Sequence, residues 1–252
     1  MPDKNDYTND LVIGRNAVRE ALRAGRGAEC LYILRGEHTG PLTPIAAMCR
    51  DASIPVKEVD RKKLDYMAGS DNHQGVILVA AVKEYVTVDE ILAYAESRGE
   101  APFVLLCDGL QDPHNLGAVI RSAEAAGAHG VIIPERRSVG LGRTVAKSAA
   151  GALEYMRVAR VTNLNDCIAR LKNAGLWIYA ADMDGTPYDE TDLSGPVAII
   201  VGAEGSGVSR LVRKNADAVV SIPMAGQINS LNASVAAGIL LFEAARRRRT
   251  GR

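Results

Sequence analysis

The stretch SIPMAGQINSLN, residues Ser221–Asn232, joins an apolar run to a long helical pattern near the end of the chain. Ala218–Ile222 reads as the end of a buried strand, which Pro223 and Gly226 then break. The residues that follow repeat apolar side chains at helical spacing and predict a helix over roughly Leu231–Arg247. Strand end, loop and helix start therefore coincide at this stretch.

The same stretch is the first candidate site. Ser230 or Asn232 can cap the helix with a side-chain oxygen. In open α/β sheets, ligands bind where strands end and helices begin, because backbone N–H groups and loop carbonyls are left unpaired there. Taken alone, an ordinary capped connection explains these residues better than a binding site does, so the assignment depends on the rest of the chain.

Length and composition describe a globular chain. With 252 residues and 47% hydrophobic content, the chain is able to bury the core of one large domain or two smaller ones. Its first ten residues are polar, and no apolar run approaches the roughly eighteen residues of a membrane span, so we expect a cytoplasmic protein without a membrane segment. The four cysteines form no CxxC pair, and no two histidines lie at metal-ligand spacing with a cysteine or carboxylate. We therefore expect reduced, buried thiols and no metal site.

The charges give no overall attraction to nucleic acid, because 30 lysines and arginines balance 30 aspartates and glutamates. Any RNA contact must therefore come from local patches, each of which alone is more often a solvated face. Arginine outnumbers lysine in these patches, which favours phosphate contact because the guanidinium fork matches two phosphate oxygens. The patches are Arg15, Arg19, Arg23 and Arg26; Arg61–Lys63; Arg136 and Arg137 with Arg143 and Lys147; and Arg246–Arg249.

Two α/β patterns divide the chain. Residues 1–82 form a compact unit in which β-like runs alternate with helical ones, after a helical spacing over Leu11–Ala24. Residues 83–101 are more polar, contain a predicted helix at Val88–Ser97 and are interpreted as a linker. Residues 102–252 carry six near-continuous apolar runs, which predict a parallel sheet buried on both faces. The six runs are Phe103–Cys107, Gly130–Ile133, Tyr155–Ala159, Leu176–Ala180, Val197–Val201 and Ala218–Ile222.

The first polar turn after a strand of the second pattern lies in Asp108–Ala123, with the sequence DGLQDPHNLGAVIRSA. It lacks the GxGxxG pattern that a dinucleotide-binding protein carries at this point. Asn115 can cap a helix whose first turn includes Gly117. Arg121 follows Asn115 by six residues, a rotation of about 240° on a helix, so one helix face does not hold both unless Asn115 stays in the loop.

A second turn, Val201–Val208 with the sequence VGAEGSGV, also follows an apolar run. Its three glycines around Glu204 permit positive φ angles and a close approach of the backbone to a ligand. Glu204 is able to serve as a ligand group or, at a helix start, to complement the helix dipole. By itself, a glycine-rich turn is weak evidence for either role.

Taken in order, the three turns resemble the motif set of the SpoU (TrmH-like) family of RNA ribose 2′-O-methyltransferases. The set is Asp-Pro-x-Asn-x-Gly followed by Arg, then Gly-x-Glu-Gly, then Ile-Pro-Met-x-Gly with Ser-Leu-Asn-x-Ser-Val-Ala. The N-terminal unit, with Ile13–Val18 and His73–Gly75, looks like the ribosomal-protein-like α/β domain that binds substrate in the bacterial large-subunit rRNA guanosine methyltransferases of this family. The resemblance covers the whole chain, and three motifs in order at strand ends are hard to obtain by chance.

For the fold, the resemblance implies a parallel-sheet SPOUT domain with a deep trefoil knot, beside a smaller N-terminal α/β domain, in a homodimer. Sequence periodicity alone predicts only an ordinary doubly wound sheet, because knots are rare. The implied cofactor is S-adenosyl-L-methionine, held chiefly by backbone groups at Gly202, Ile222, Met224 and Leu231. The implied catalytic neighbourhood consists of Asn115, Arg121, Glu204, Ser230 and Asn232.

Arginine is effectively always protonated, so we expect Arg121 to grip the target phosphate and orient the ribose hydroxyl rather than to act as a base. His114 is the only conventional base nearby. The resemblance implies methylation of a guanosine in 23S ribosomal RNA, with a tRNA loop or another rRNA nucleotide as the alternative within the family. From other classes, the alternatives are a non-catalytic RNA-binding adaptor and a Rossmann-like enzyme in which Glu135 reads a ribose, although the missing GxGxxG argues against the latter.

Overall fold

The computed structural model describes residues 11–36, 40–69, 71–81, 83–227 and 230–250. The polar first ten residues, His38, the predicted boundary residue Val82, and Ile228 and Asn229 of the quoted loop lie outside the described residues. The chain divides into two compact units. One comprises residues 1–84 with 140–144, and the other comprises residues 85–139 and 145–252.

The first unit is built on a four-stranded sheet. In chain order its elements are β1 (Leu11–Ile13), α1 (Arg15–Arg23), β2 (Ala28–Leu34), α2 (Thr43–Asp51), β3 (Val56–Val59), α3 (Arg61–Ala68) and β4 (Val76–Ala80). The strand order is β1-β4-β2-β3, in which β4 runs antiparallel to both neighbours and β2 is parallel to β3. The helix predicted over Leu11–Ala24 is wrong at its start, because β1 pairs with β4 and Gly14, at φ 91°, turns the chain before α1.

From Tyr85 onward, six strands form one parallel sheet in the order β10-β8-β9-β5-β6-β7. The elements are α4 (Val88–Ser97), β5 (Phe103–Asp108), α5 (Pro113–Ala125), β6 (Gly130–Pro134), α6 (Arg143–Ala149), α7 (Ala152–Tyr155), β7 (Val158–Val161), α8 (Leu164–Asn173), β8 (Trp177–Pro187), β9 (Val197–Gly202), α9 (Arg210–Asn215), β10 (Ala218–Ser221) and α10 (Ala233–Thr250). The predicted α/β class with a parallel sheet is confirmed. The strand predicted at Tyr155–Ala159 is wrong at its start, because Tyr155 ends α7 and β7 begins at Val158.

Helices cover both faces of this sheet. Val104, Ile132 and Ile200 belong to a buried cluster that also includes residues of α4 and α8. Their neighbours along the strands, such as Leu105 and Ile199, are fully buried as well and point to the opposite face. On that side α5 and α10 pack against each other, with α5 contacting β6 and α10 contacting β9. Burial on both faces explains why these strands read as continuous apolar runs.

Helix α4 forms over the residues predicted for it, Val88–Ser97. A capping box starts it: the Glu90 amide donates to Thr87 Oγ1 at 3.2 Å, and the Thr87 amide donates to Glu90 Oε2 at 2.7 Å. Ile91 is fully buried in the cluster shared with the sheet. Part of the segment interpreted as a linker thus belongs to the core of the second unit.

The four cysteines are free and buried, as expected from their spacing. Burial raises the pKa of Cys49 and Cys107 to about 12 and that of Cys167 to about 11, which keeps these groups as protonated thiols. Among the described helices, none is long and apolar enough to cross a membrane. The part of the chain that the structure describes holds no cluster of three or more His, Cys, Asp or Glu residues able to bind a metal ion.

A buried histidine links the start of β5 to the start of β6. His129 is 2% exposed, and its Nδ1 accepts a hydrogen bond from the Phe103 amide at 3.0 Å. Because Nδ1 must be an acceptor there, the neutral ring carries its proton on Nε2, which donates to Glu100 Oε2 at 3.1 Å. Burial lowers the pKa of His129 below its ordinary value of 6.5.

This histidine should make stability depend on pH in a defined window. As pH falls below about 6.5, the unfolded chain binds a proton that the folded chain does not, so stability is lost down to the lowered folded pKa. We expect the free energy of unfolding to fall less steeply below pH 6.5 in His129→Gln than in the wild type. The Oε1 atom of the glutamine keeps an acceptor for the Phe103 amide. The two slopes should differ by at most about 1.4 kcal/mol per pH unit. Urea unfolding at several pH values measures it, and equal slopes in both proteins would contradict the assignment.

Candidate active site

A cavity of about 510 Å³ lies in the second unit, beside the ends of β9 and β10. This volume falls within the range of small-molecule sites. Seven of the nine predicted site residues line it, namely Gly202, Glu204, Ile222, Met224, Ser230, Leu231 and Asn232. Asn115 and Arg121 are not among its lining residues. The turn after β9 and the loop after β10 therefore share one cavity.

The turn after β9 depends on Gly202. The chain folds back at once: Ala203 forms an antiparallel bridge with Gly207, whose amide donates to the Ala203 carbonyl at 2.9 Å. A Cβ on residue 202 would overlap the carbonyl carbon of Gly207, so only glycine fits there. Glu204 lies in the resulting tight turn. It does not complement a helix start, because α9 begins only at Arg210.

Two amides and one carboxylate meet at the edge of the cavity. Glu204 Oε1 accepts from Asn115 Nδ2 at 3.0 Å and from Asn232 Nδ2 at 2.6 Å. Asn232 Nδ2 also donates to Asn115 Oδ1 at 2.9 Å, which closes a triangle. Among the described residues no hydrogen-bond donor reaches Glu204 Oε2. We call these three residues the Asn–Glu–Asn cluster.

Asn232 has a second task at the start of α10. Its Oδ1 accepts from the Ser234 amide at 2.9 Å and from Ser234 Oγ at 2.6 Å, so Asn232 is the residue that caps the helix. Of the two predicted caps, Ser230 makes no such bond within the described chain. The predicted helix start at Leu231 is wrong by two residues, because the cap falls at Asn232 and the helix begins at Ala233.

Asn115 is buried inside α5 rather than at its cap. The cap is Asp112, whose Oδ1 accepts from the His114 amide at 2.8 Å, so the predicted capping role of Asn115 is wrong. Because α5 is capped about one turn before Asn115, the side chain of Asn115 is not used as a cap and reaches Glu204. Gly117, on the same helix, packs so closely on α6 that a Cβ would overlap the side chain of Ser148.

Arg121 does not join the Asn–Glu–Asn cluster. It is exposed, and no described residue forms a hydrogen bond or ion pair with it. Since Asn115 lies within α5, the rotation of about 240° between the two residues applies and turns Arg121 away. His114 is also engaged elsewhere, with Nδ1 at 3.0 Å from Ser148 Oγ.

Sequence reasoning missed one wall of the cavity. Ala181, Asp182 and Met183 of β8 line it, although no motif marks them. Arg213 of α9 holds this wall, donating from Nη1 to Asp182 Oδ2 at 2.8 Å and from Nη2 to Asp184 Oδ1 at 2.7 Å. The only sequence signal for this contact is the pair of acidic residues in Asp182–Asp184, which reads as a solvated strand end.

The arginine run at the end of α10 is largely occupied by contacts within the protein. Arg246 and Arg247 pair with Glu243, and the two guanidinium groups lower the pKa of that carboxyl to about 2. Arg247 also donates to the Asp189 carbonyl, and Arg248 donates to the Gly195 and Ala101 carbonyls. Arg247 and Arg248 therefore attach the end of α10 to other parts of the second unit.

Comparisons with known proteins agree with this architecture. A family model for the substrate-binding domain of RNA 2′-O ribose methyltransferases matches residues 11–86. The model of the SpoU rRNA methylase family matches residues 102–242, which is more than half of the chain. The chain belongs to the SpoU family of RNA methyltransferases. This SpoU methyltransferase is 42% identical over 241 residues to YacO, a TrmH family tRNA/rRNA methyltransferase by name, of Bacillus subtilis; the match covers 95% of this chain and 96% of that protein.

Solved structures of SpoU proteins share its fold. The SpoU methyltransferase AviRb of Streptomyces viridochromogenes, in complex with AdoMet, matches with a TM-score of 0.61 and 27% identity over 96% of this chain and 91% of that one. The AdoMet-bound rRNA methyltransferase of Sinorhizobium meliloti matches with a TM-score of 0.60 and 29% identity, over 94% of this chain and 87% of that one. The TrmH/SpoU tRNA modifying enzyme of A. aeolicus matches with a TM-score of 0.55 and 28% identity. This match covers only 60% of this chain and 78% of that one.

The double use of Asn232 allows its two tasks to be separated. In Asn232→Ser a hydroxyl oxygen still caps α10, but the amide donor to Glu204 and Asn115 is lost. We expect the free energy of unfolding to change by less than about 1 kcal/mol, whereas methyl transfer to RNA falls at least about tenfold. The matched control is Asn163→Ser, because Asn163 caps α8 through the Asn165 amide at 2.9 Å, away from the cavity. Equal activity of the two variants would remove the cluster from the mechanism.

Proposed function

We propose that this SpoU methyltransferase transfers a methyl group from S-adenosyl-L-methionine to the ribose 2′-hydroxyl of a guanosine in 23S ribosomal RNA. The observation that carries the proposal is the cavity beside the ends of β9 and β10, with the Asn–Glu–Asn cluster at its edge. Cofactor and hydroxyl then meet where the turn after β9 faces the loop after β10.

The lining of the cavity suits the cofactor. Ile222, Met224 and Leu231 supply apolar surface for an adenosyl group, and Gly202, which lines the cavity, permits the tight turn beside it. Hydrogen bonds to adenine come in this proposal from loop amides and carbonyls, which is why apolar side chains suffice there. Bound S-adenosyl-L-methionine supplies a methyl group that is electrophilic because it is attached to a sulfonium.

The Asn–Glu–Asn cluster orients the target hydroxyl. Both asparagines donate to Glu204 Oε1, so Oε2 stays available to accept the hydrogen bond of the ribose 2′-hydroxyl. Such a contact would aim the hydroxyl oxygen at the methyl group, and alignment of this kind accounts for much of the rate in a displacement reaction. Ser230 is exposed and lines the cavity, and in this proposal it contacts the same ribose.

The choice of ribosomal RNA rests on the N-terminal unit. The structure named as an rRNA methyltransferase aligns with 94% of this chain, whereas the one named as a tRNA modifying enzyme aligns with 60%. Residues 11–86 match the substrate-binding domain model, and they add a second surface for a large RNA. In this proposal residues 1–82 bind RNA and residues 102–252 carry out the transfer. Residues 83–101 connect them, although their helix α4 packs in the core of the second unit.

Three further features belong to the proposal. The enzyme acts in the cytoplasm, where ribosomal RNA is assembled into ribosomes. It acts as a homodimer, in which a second copy would cover apolar side chains such as Val235 and Phe242, which are 50% and 52% exposed on α10. The deep trefoil knot of the SPOUT fold, implied by the sequence motifs, stays a prediction.

Mapping of ribose methylation tests the function. Total RNA from cells with and without this protein should differ by one 2′-O-methyl mark, in 23S rRNA and on a guanosine. Restoring the gene should restore the mark, and a Glu204→Gln version should not. A lost mark in tRNA would favour the alternative substrate, and an unchanged methylation map would favour a non-catalytic RNA-binding adaptor.

Arg121 provides a second test of the mechanism. Its exposed guanidinium is proposed to grip the target phosphate, so Arg121→Ala should lower methyl transfer at least about a hundredfold, or about 2.7 kcal/mol, without weakening cofactor binding. Single-turnover kinetics and calorimetry with S-adenosyl-L-methionine measure the two effects. Near-normal transfer by the variant would remove Arg121 from the mechanism.

A further inference from the structure

Strand β8 leaves the register of its neighbour in the middle of its length. Ala180 pairs with Val219 and Thr186 pairs with Val220, so residues 181–185 have no partners in β10. We call these five residues the β8 bulge. Extra residues of this kind bend a strand and redirect its side chains, and they are common beside active sites.

The β8 bulge supplies one wall of the cavity. Asp182 and Met183 are lining residues, and Met183 is 63% exposed. The end of the bulge is held by Ser221, whose Oγ donates to the Gly185 carbonyl at 2.8 Å. Gly185 lies so close to β10 that a Cβ there would come within 2.6 Å of the Val219 carbonyl. The last residue of the β8 bulge, Gly185, is therefore held against β10.

The exposed part of the bulge is fixed by one side chain of α9. Arg213 donates from Nη2 to both oxygens of Asp184, at 2.7 and 2.8 Å, and from Nη1 to Asp182 Oδ2 at 2.8 Å. Asp182 Oδ1 accepts from the Met183 amide at 2.8 Å, so both of its oxygens are engaged. In the described part of the chain, Arg213 is the only cation that pairs with either aspartate.

We propose that Arg213 is a positioning residue for the cofactor: by clamping Asp182 and Asp184 it holds the β8 bulge in the shape that forms the cavity wall. The proposal rests on the proposed function, since the cavity is taken to hold S-adenosyl-L-methionine. Arg213 itself is not a lining residue and acts through the bulge. None of the three recognised motifs contains it.

Asp182 and Asp184 place two like charges, separated by one residue, in a segment that has no partners in β10. Without the guanidinium, the carboxylates of Asp182 and Asp184 repel each other, and among the described residues no other hydrogen bond or ion pair joins the five residues of the bulge to α9. A loosened wall must be ordered again when a ligand binds, which weakens binding. An isolated surface ion pair would have little effect, but here three hydrogen bonds converge on one guanidinium group.

The test is cofactor affinity of the full-length protein. In Arg213→Met we expect the Kd for S-adenosyl-L-methionine, measured by calorimetry, to rise about tenfold, or about 1.4 kcal/mol. The KM for the cofactor should rise in parallel, while kcat at saturating cofactor stays within about twofold, because the reacting groups are unchanged. S-adenosylhomocysteine should lose affinity to the same extent, since the lost element is the shape of the wall rather than a contact with the sulfonium.

Two variants serve as controls. Arg210→Met removes the same charge from the exposed start of α9, where the described chain offers it no partner, and should leave both Kd values unchanged. Arg213→Lys restores one charge without the two-point fork and should recover part of the affinity. If Arg213→Met fails to fold, Asp184→Asn removes a charge that does not line the cavity and should raise Kd about threefold.

The outcomes separate this inference from the proposed function. Absence of cofactor binding by the wild type would overturn the function itself. Tight binding by the wild type with an unchanged Kd in Arg213→Met, or a loss confined to kcat, would overturn the positioning role alone. A lower melting temperature with an unchanged Kd would reduce Arg213 to a purely structural ion pair.

Discussion

The parallel register of β5 and β9 is the constraint on which the site depends. Asp108 lies opposite Gly202 at the last rung of the pairing, so both strands end at the same edge of the sheet. The turns that follow them therefore begin side by side, and Asn115 and Glu204, 89 residues apart in the chain, come within a hydrogen bond of 3.0 Å. Any slip of register would move one turn along the sheet and break this contact.

The third member of the cluster arrives by a different route. β10 is not a neighbour of β9, because β8 lies between them in the sheet. Asn232 reaches the cluster because α10 turns back and packs on α5 and β9. The cap at Asn232 thus sets both where this helix starts and where an amide donor meets the carboxylate of Glu204. Local capping chemistry and the long-range geometry of the site are fixed by one side chain.

The fold could be predicted well because its signals are local. Strands buried on both faces leave continuous apolar runs, and α4 carries its capping box in four adjacent residues, Thr87–Glu90. Errors arose at the ends of helices. Asp112 caps α5 in place of Asn115, and the helix predicted from Leu11 begins only after Gly14, because the residues before Gly14 form β1. Family motifs identified seven residues of the cavity, which no periodicity would have grouped.

What could not be predicted depends on partners distant in sequence. The arginines of Arg246–Arg249 looked like a patch for RNA, yet three of them bind carbonyls or Glu243. No sequence motif includes Arg213, and 29 residues separate it from Asp184, which it binds at two points. The bulge in β8 leaves no pattern in the sequence, because it exists only relative to the pairing of β10.

The order of the cluster along the chain has a consequence for biosynthesis. A ribosome releases Asn115 first, Glu204 next and Asn232 last, and Asn232 adopts its place only when α10 begins to form. Until Asn232 is in place, Glu204 has only the Asn115 amide of its two amide partners. The N-terminal unit, of which all but residues 140–144 is made first, is able to begin folding while this assembly is still incomplete. Most of the N-terminal unit thus leaves the ribosome before the residues that line the cavity, and α10, which is made last, completes the site.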